Sequence, residues 1–384
     1  MKTGWMGTLS SAAVAAAVAM AAGTAQAQDT IKIGAIYSLS GPAAPFGVPE
    51  RDIVEALTKN LNAQGGIGGK KIELVICDEQ TNPTEAARCA TKLTRQDRVV
   101  AIVGPTLGTS ALALAPIALA NKVPLLSPVG TIPVTSKDNA FWPWVFRTAP
   151  SDTLIINALF ERAVFKPQRK RIAILYQEDA YGEAGMKLAT QLSKERNFEI
   201  VAAVGAPLTA IDLTAAATSI RNSNPDVVLV KTSAPALGAA FVRAAKQVGI
   251  TTPVIGTGSL NQRPFLDAAG TAAEGIQIVS IGNWDDPSDR QKKLGEVIVA
   301  AGKTPKGYAE LIGSTGAIAA FEAIRRVKGD ITGAAIRDAL ETICDYKDTY
   351  LDGNLCYSKD QHEGVFADTL ITVEVHNGKF KTVK

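Results

Sequence analysis

The chain has 384 residues, with 40 Lys or Arg against 37 Asp or Glu and a formal net charge of +3. That near-balance excludes the strongly basic face of a nucleic-acid binder, and 46% hydrophobic with 20% charged residues excludes a disordered chain. Only two histidines are present, His362 and His376, which disfavours His-based catalysis and most zinc sites. At about 150 residues per domain the length suggests two domains, or one large one.

Residues 1–27 read as a secretory signal. Lys2 gives a positive start, 9–22 is almost wholly small or apolar, and Ala25-Gln26-Ala27 supplies a small-x-small cleavage pattern. The apolar run is shorter than the roughly 20 residues that span a bilayer. No Cys follows it to accept a lipid. A mature chain starting at Gln28, soluble and exported, is expected.

The mature chain alternates strand and helix patterns. The run 31–37 is a short β-rich stretch, and 48–62 has helical spacing with Ile53, Ala56, Leu57 and Leu61 on one face. Gly65-Gly66-Ile67-Gly68-Gly69 ends that helix and turns the chain. Strands are expected at 71–77, 99–103 and 123–126, and helices at 83–95, the first opened by Asn82-Pro83, and 108–120. After Arg147 the alternation restarts. Ser151 or Asp152 caps a helix to about 164, with strands near 171–176, 200–204, 226–230 and 253–256 and helices between them. The segment 286–340 is nearly all helical and 366–375 returns to strand. Strands alternating with helices of 10–15 residues indicate right-handed βαβ units. The fold class is therefore α/β, with two doubly wound parallel-sheet lobes in tandem.

Cys77 with Cys89, and Cys344 with Cys356, form two local pairs. Four cysteines allow three pairings. The local one needs the least chain reorganisation, and an oxidising compartment favours two disulfides, each worth roughly 3 kcal/mol by loop entropy. The spacings do not match a zinc site, and no metal or cofactor is expected.

Several catalytic motifs fail on position. The glycine run at 65–69 follows a helix and precedes a strand, the reverse of a phosphate loop. No strand-to-helix Gly-x-Gly-x-x-Gly is present. His362 lies in a polar turn and His376 beside Asn377-Gly378, so both are expected on the surface rather than in a triad. Asp78-Glu79 reads as a capping, loop-closing pair. An enzyme is not expected.

Ligands of open α/β sheets bind beyond the carboxyl ends of the strands. Four segments fall there: 38–47, 104–110, 127–131 and 178–182. Gly108, Thr109 and Ser110 open a helix, whose free N–H groups and two hydroxyls suit a carboxylate. Thr131 and Tyr181 add hydroxyls. Together they describe a cleft for a small organic ligand.

Over nearly its whole mature length the chain resembles the periplasmic solute-binding proteins of ABC importers, of the leucine/isoleucine/valine-binding type. The resemblance rests on Ile33-Gly34 with Ser40-Gly41-Pro42, on Asn62-Ala63-Gln64-Gly65-Gly66-Ile67, and on Ala101-Ile102-Val103-Gly104-Pro105. It continues through Leu126-Ser127-Pro128-Val129-Gly130-Thr131, Phe146-Arg147-Thr148-Ala149 and Tyr181-Gly182. It implies the type I periplasmic binding fold: two lobes joined by three hinge crossings, near Arg147, Val279 and Gly353, with the ligand between them. Lobe 1 would comprise 28–147 plus 280–352, and lobe 2 148–279 plus 353–384. It implies a monomer that binds a small molecule and docks on a membrane permease, with no nucleic acid and no cofactor.

The resemblance also implies site residues. Thr131 matches a position that contacts the α-amino and α-carboxyl groups of an amino acid, in a turn shared with Gly130, and Tyr181 matches a cleft tyrosine. Phe46 stands where leucine binders often have Tyr. Gly108 stands where a Ser often binds the carboxylate, with Thr109 and Ser110 adjacent. Gly258 stands where a Glu usually pairs with the ligand ammonium. Branched-chain amino acids are the family default. Aromatic or other carboxylates are the alternative that Gly258 opens, with Asp179 a substitute acid and Arg263 a candidate partner for a second anionic group. A periplasmic sensory receptor would have the same sequence.

Overall fold

The computed structural model describes residues 1–3 and 30–383; residues 4–27 of the expected signal segment lie outside the described residues. The first sheet has five parallel strands in the order β2-β1-β3-β4-β5: β1 (Ile31–Tyr37), β2 (Ile72–Asp78), β3 (Ala101–Val103), β4 (Leu125–Ser127) and β5 (Val145–Arg147). Helices α1 (Ala44–Ala63), α2 (Pro83–Arg95) and α3 (Gly108–Asn121) connect them. Asn82 accepts from the Thr84 N–H and Pro83 opens α2, a capped start with no N–H to waste. Helix α1 begins four residues before the periodicity suggests. Pro45 sits in its first turn and Phe46 is buried beneath it, so packing extends the helix beyond its amphipathic stripe.

The second sheet has seven strands in the order β12-β11-β10-β9-β8-β6-β7. Its parallel part comprises β6 (Arg171–Gln177), β7 (Glu199–Ala206), β8 (Val227–Lys231), β9 (Val254–Gly256) and β10 (Gln277–Ser280). Helices α4 (Asp152–Phe160), α5 (Ala180–Arg196), α6 (Thr214–Asn222), α7 (Pro235–Gln247) and α8 (Arg263–Ala269) flank it. β8 is buried along its whole length, as expected of a β-branched strand covered on both faces. The chain then returns to the first lobe as α9 (Asp289–Ala300), α10 (Tyr308–Arg326) and α11 (Gly333–Leu340) before β11 (Ile371–His376) and β12 (Lys379–Val383) complete the second sheet antiparallel. Each sheet has a hydrophobic core on both faces. Among the described residues no helix is long and apolar enough to cross a membrane.

Both local disulfides are formed, Cys77–Cys89 and Cys344–Cys356. The second pins a segment that changes the hinge. Leu351, Leu355, Tyr357 and Val365 pack in the first lobe's core, and the Tyr357 hydroxyl donates to the Arg147 carbonyl at 2.8 Å. The chain therefore crosses to the second sheet at 366–370, not near Gly353. Burial of these apolar side chains holds residues 353–365, expected in lobe 2, against lobe 1.

The expectation that His362 is a surface residue is also corrected. It is 1% exposed, stacked between Trp142 and Phe146 at centroid distances of 4.1 and 4.0 Å. Its Nδ1 lies 3.1 Å from the carbonyls of Trp142 and Val145, and burial lowers its pKa. Polar neighbours in sequence concealed an imidazole that packs inward. His376 is exposed.

Candidate functional site between the lobes

A cavity lies between the carboxyl ends of the two sheets. Phe46, Thr106, Gly108, Val129, Gly130, Tyr308 and Ile312 line it from the first lobe. Asp152, Ile155, Tyr181, Ser233, Thr257, Gly258 and Ser259 line it from the second.

Helix α3 starts at this cavity. Its N-cap, Leu107, makes no side-chain cap, and the first intrahelical bond is from Ala111 N–H to the Leu107 carbonyl. The N–H groups of Gly108, Thr109 and Ser110 thus have no intrahelical acceptor and carry the positive end of the helix dipole. Thr131 comes from the loop after β4 and is fully buried, and its Oγ1 has no hydrogen-bond partner. A Cβ added to Gly108 would overlap that oxygen. The Thr131 hydroxyl therefore stands where a side chain at 108 would begin, and glycine is the residue that leaves it room.

Thr106 is held by a buried acidic network. Its Oγ1 donates to Glu50 Oε2 at 2.7 Å and its N–H donates to Glu79 Oε1 at 3.1 Å, while the Ser38 hydroxyl donates to the same Glu79 oxygen at 2.7 Å. Burial pushes both carboxyl pKa values up. Asp78 closes the neighbouring loop by accepting from the Leu39 N–H and the Ser40 hydroxyl. The Asp78-Glu79 pair therefore splits between a loop closure and a buried support for the cavity wall.

On the opposite wall Asp152 begins α4; Lys231, which ends β8 and does not itself line the cavity, pairs with it. Lys231 Nζ lies 2.9 Å from Asp152 Oδ1 and 3.1 Å from the centroid of the Tyr181 ring. Their side chains are 6% and 1% exposed, so this is a buried ion pair. Burial lowers the Lys231 pKa and raises that of Asp152, against the opposing pull of each charge on the other. A Cβ on Gly185 of α5 would overlap Cε and Cδ of Lys231, so the lysine stem runs across a gap that this glycine leaves.

Of the residues predicted from sequence, Phe46, Gly108, Gly130, Tyr181 and Gly258 line the cavity. Thr131 stands immediately behind Gly108, and Ser110 is buried. Thr109 reaches across the cleft, its hydroxyl 3.4 Å from Asp179 Oδ2. Asp179 also caps α5, accepting from the N–H groups of Tyr181 and Gly182, and receives the Gln177 side-chain amide. Arg263 pairs with Asp285 near the surface and does not line the cavity.

Sequence reading missed Tyr308, Asp152 and Lys231. Asp152 was legible only as one of two possible helix caps, and Ser151 takes that role, accepting from the Leu154 N–H. Tyr308 opens a helix that is far away in sequence. The one available signal was Lys231, a cation closing a strand of Val and Leu. Among the described residues no group of three or more His, Cys, Asp or Glu could hold a metal ion.

The comparisons with known proteins agree with this architecture. The leucine-specific-binding protein of Salmonella typhimurium is 28% identical over 297 residues, covering 77% of this chain and 78% of that one. A solved structure of a periplasmic binding protein type 1 from Bordetella pertussis superposes with a TM-score of 0.81 at 26% identity, covering 92% of this chain and 100% of that one. A branched chain amino acid ABC transporter structure from Thermus thermophilus with bound valine gives a TM-score of 0.85 over 93% and 96% of the two chains; at 20% identity that likeness is one of fold. The model of the family described as periplasmic binding protein matches residues 30–379. The chain belongs to the periplasmic binding protein family.

Proposed function

We propose that this chain is the ligand-binding component of an ABC importer, exported by removal of residues 1–27, which captures a small organic carboxylate between its lobes and delivers it to a membrane permease. The observation that carries this reading is the unpartnered Thr131 hydroxyl beside the uncapped N-terminus of α3, at the edge of an interlobe cavity. Donors of that kind are complementary to an anion. The apolar lining of Phe46, Tyr308, Ile155 and Ile312 suits an apolar ligand body. The relatives' names support an amino acid or a close analogue as the general size of ligand. Binding, lobe closure and docking break no bond, so no catalytic residues are assigned.

A thermal-shift screen of the mature protein against amino acids, aliphatic acids, aromatic acids and amides tests this. A ligand at 100 times its Kd stabilises by about 2.7 kcal/mol. Stabilisation by at least one carboxylate is expected, and weakened binding of its amide should follow. Stabilisation by amides alone would overturn the carboxylate reading.

A further inference from the structure

Charge balance within the cavity narrows the ligand further, on the reading that the cleft binds a carboxylate. Among the described residues Asp152 is the only carboxylate on the cavity wall, and Lys231 already compensates it at 2.9 Å. An acid at position 258 would have to pass through the ring of Tyr308, since a Cβ there falls 2.5 Å from Tyr308 Cε2. Glu50 and Glu79 stand behind Thr106, and Asp179 spends its oxygens on the α5 cap, Gln177 and Thr109. Arg147 adds a further buried cation, held by the carbonyls of Val129 and Thr131, by the Thr135 hydroxyl at 2.6 Å and by Glu363 at 3.4 Å.

The Asp152–Lys231 pair is a built feature. Gly185 leaves the gap through which the lysine passes, and the Tyr181 ring covers its ammonium. Asp152 Oδ2 is buried with no hydrogen-bond partner. That oxygen needs a donor, and the one carboxylate lining the cavity already has its countercharge in Lys231. A ligand ammonium would add a second buried cation to the one carboxylate that Lys231 already balances, which is costly, whereas a hydroxyl would satisfy the oxygen at no charge. We propose that the cleft selects organic acids that carry a neutral group, a hydroxyl above all, where an amino acid carries its ammonium, and that Lys231 is the residue that sets this choice.

Calorimetric titration of the full mature protein with matched pairs tests the idea: leucine against 2-hydroxy-4-methylpentanoate, and phenylalanine against 2-hydroxy-3-phenylpropanoate. The hydroxy acid of at least one pair should bind about tenfold tighter or more than its amino acid. Lys231→Met should shift that ratio toward the amino acid by about tenfold, because Asp152 is then free to pair with an ammonium. Lys231→Gln serves the same purpose if the methionine variant does not fold. Leucine or phenylalanine binding as tightly as its hydroxy partner in the unmodified protein would overturn the inference alone. So would a ratio unmoved in a folded Lys231 variant. Binding by neither member of either pair, with an amide of the same acids bound instead, would overturn the carboxylate reading and this inference with it.

Discussion

The ring of Tyr308, from the first lobe, occupies the space into which a side chain at Gly258 of the second lobe would project. The contact explains why an acid is absent from 258: the cavity is closed there by an aromatic ring, which also lies 6.3 Å from Phe46 by ring centroids. One glycine and one tyrosine, distant in sequence, together make an apolar wall there.

Gly258→Ala should therefore weaken ligand binding. The added methyl forces the ring to shift across the closed cleft, at a cost of about 1–3 kcal/mol, or roughly tenfold or more in Kd. In a Tyr308→Ala background the same substitution should cost less, because the two residues share one contact. Titration of all four proteins with a ligand found by thermal shift measures the coupling, and additive effects would disprove the contact's role.

Thr131→Ala should weaken binding while leaving the free protein folded. The hydroxyl has no partner within the protein, so its removal strands no internal group. Loss of one hydrogen bond to a charged ligand group is worth about 1.5–3 kcal/mol. Thr131→Ser should retain most of the affinity. Equal affinities for all three proteins would remove Thr131 from the site.

Gly185→Ala should destabilise the second lobe through Lys231. The new Cβ overlaps the lysine stem, and displacing it breaks a buried ion pair. A loss of about 1–3 kcal/mol is expected from overpacking, with more if Asp152 is left unpaired. Denaturant unfolding measures this. Lys231→Met in the Gly185→Ala background should recover part of the overpacking cost, and an equal loss in both backgrounds would contradict the geometry.

Glu310 predicts a pH dependence of stability. It is 3% exposed and accepts from the Gly307 and Lys306 N–H groups at 2.7 and 2.6 Å. Burial pushes its pKa up from 4.5 to about 7 despite those bonds. A carboxyl whose folded pKa lies above its unfolded value contributes stability below the unfolded pKa and loses it as pH rises through the folded one. Between pH 4.5 and 7 its contribution should fall by roughly 3 kcal/mol. Comparing unfolding free energies of the native protein and Glu310→Gln across that range isolates the effect. A difference independent of pH would show that Glu310 is not titrating there.

Much of the fold is local chemistry and was legible in the chain. Alternating β-branched runs and capped amphipathic helices specify βαβ units one at a time, and the spacing of Cys77 with Cys89 and Cys344 with Cys356 marked both disulfides. Parallel sheets place their ligands at strand ends, so Gly108, Gly130 and Tyr181 could be named before any coordinates. Other features are set by contacts between residues remote in sequence. The burial of His362 between Trp142 and Phe146, the late crossing at 366–370, the ring of Tyr308 against Gly258 and the ion pair of Asp152 with Lys231 all depend on which surfaces the folded lobes press together. Periodicity reports which face of an element is apolar. It does not report what that face meets, and in this protein the contacts that build the cleft are decided there.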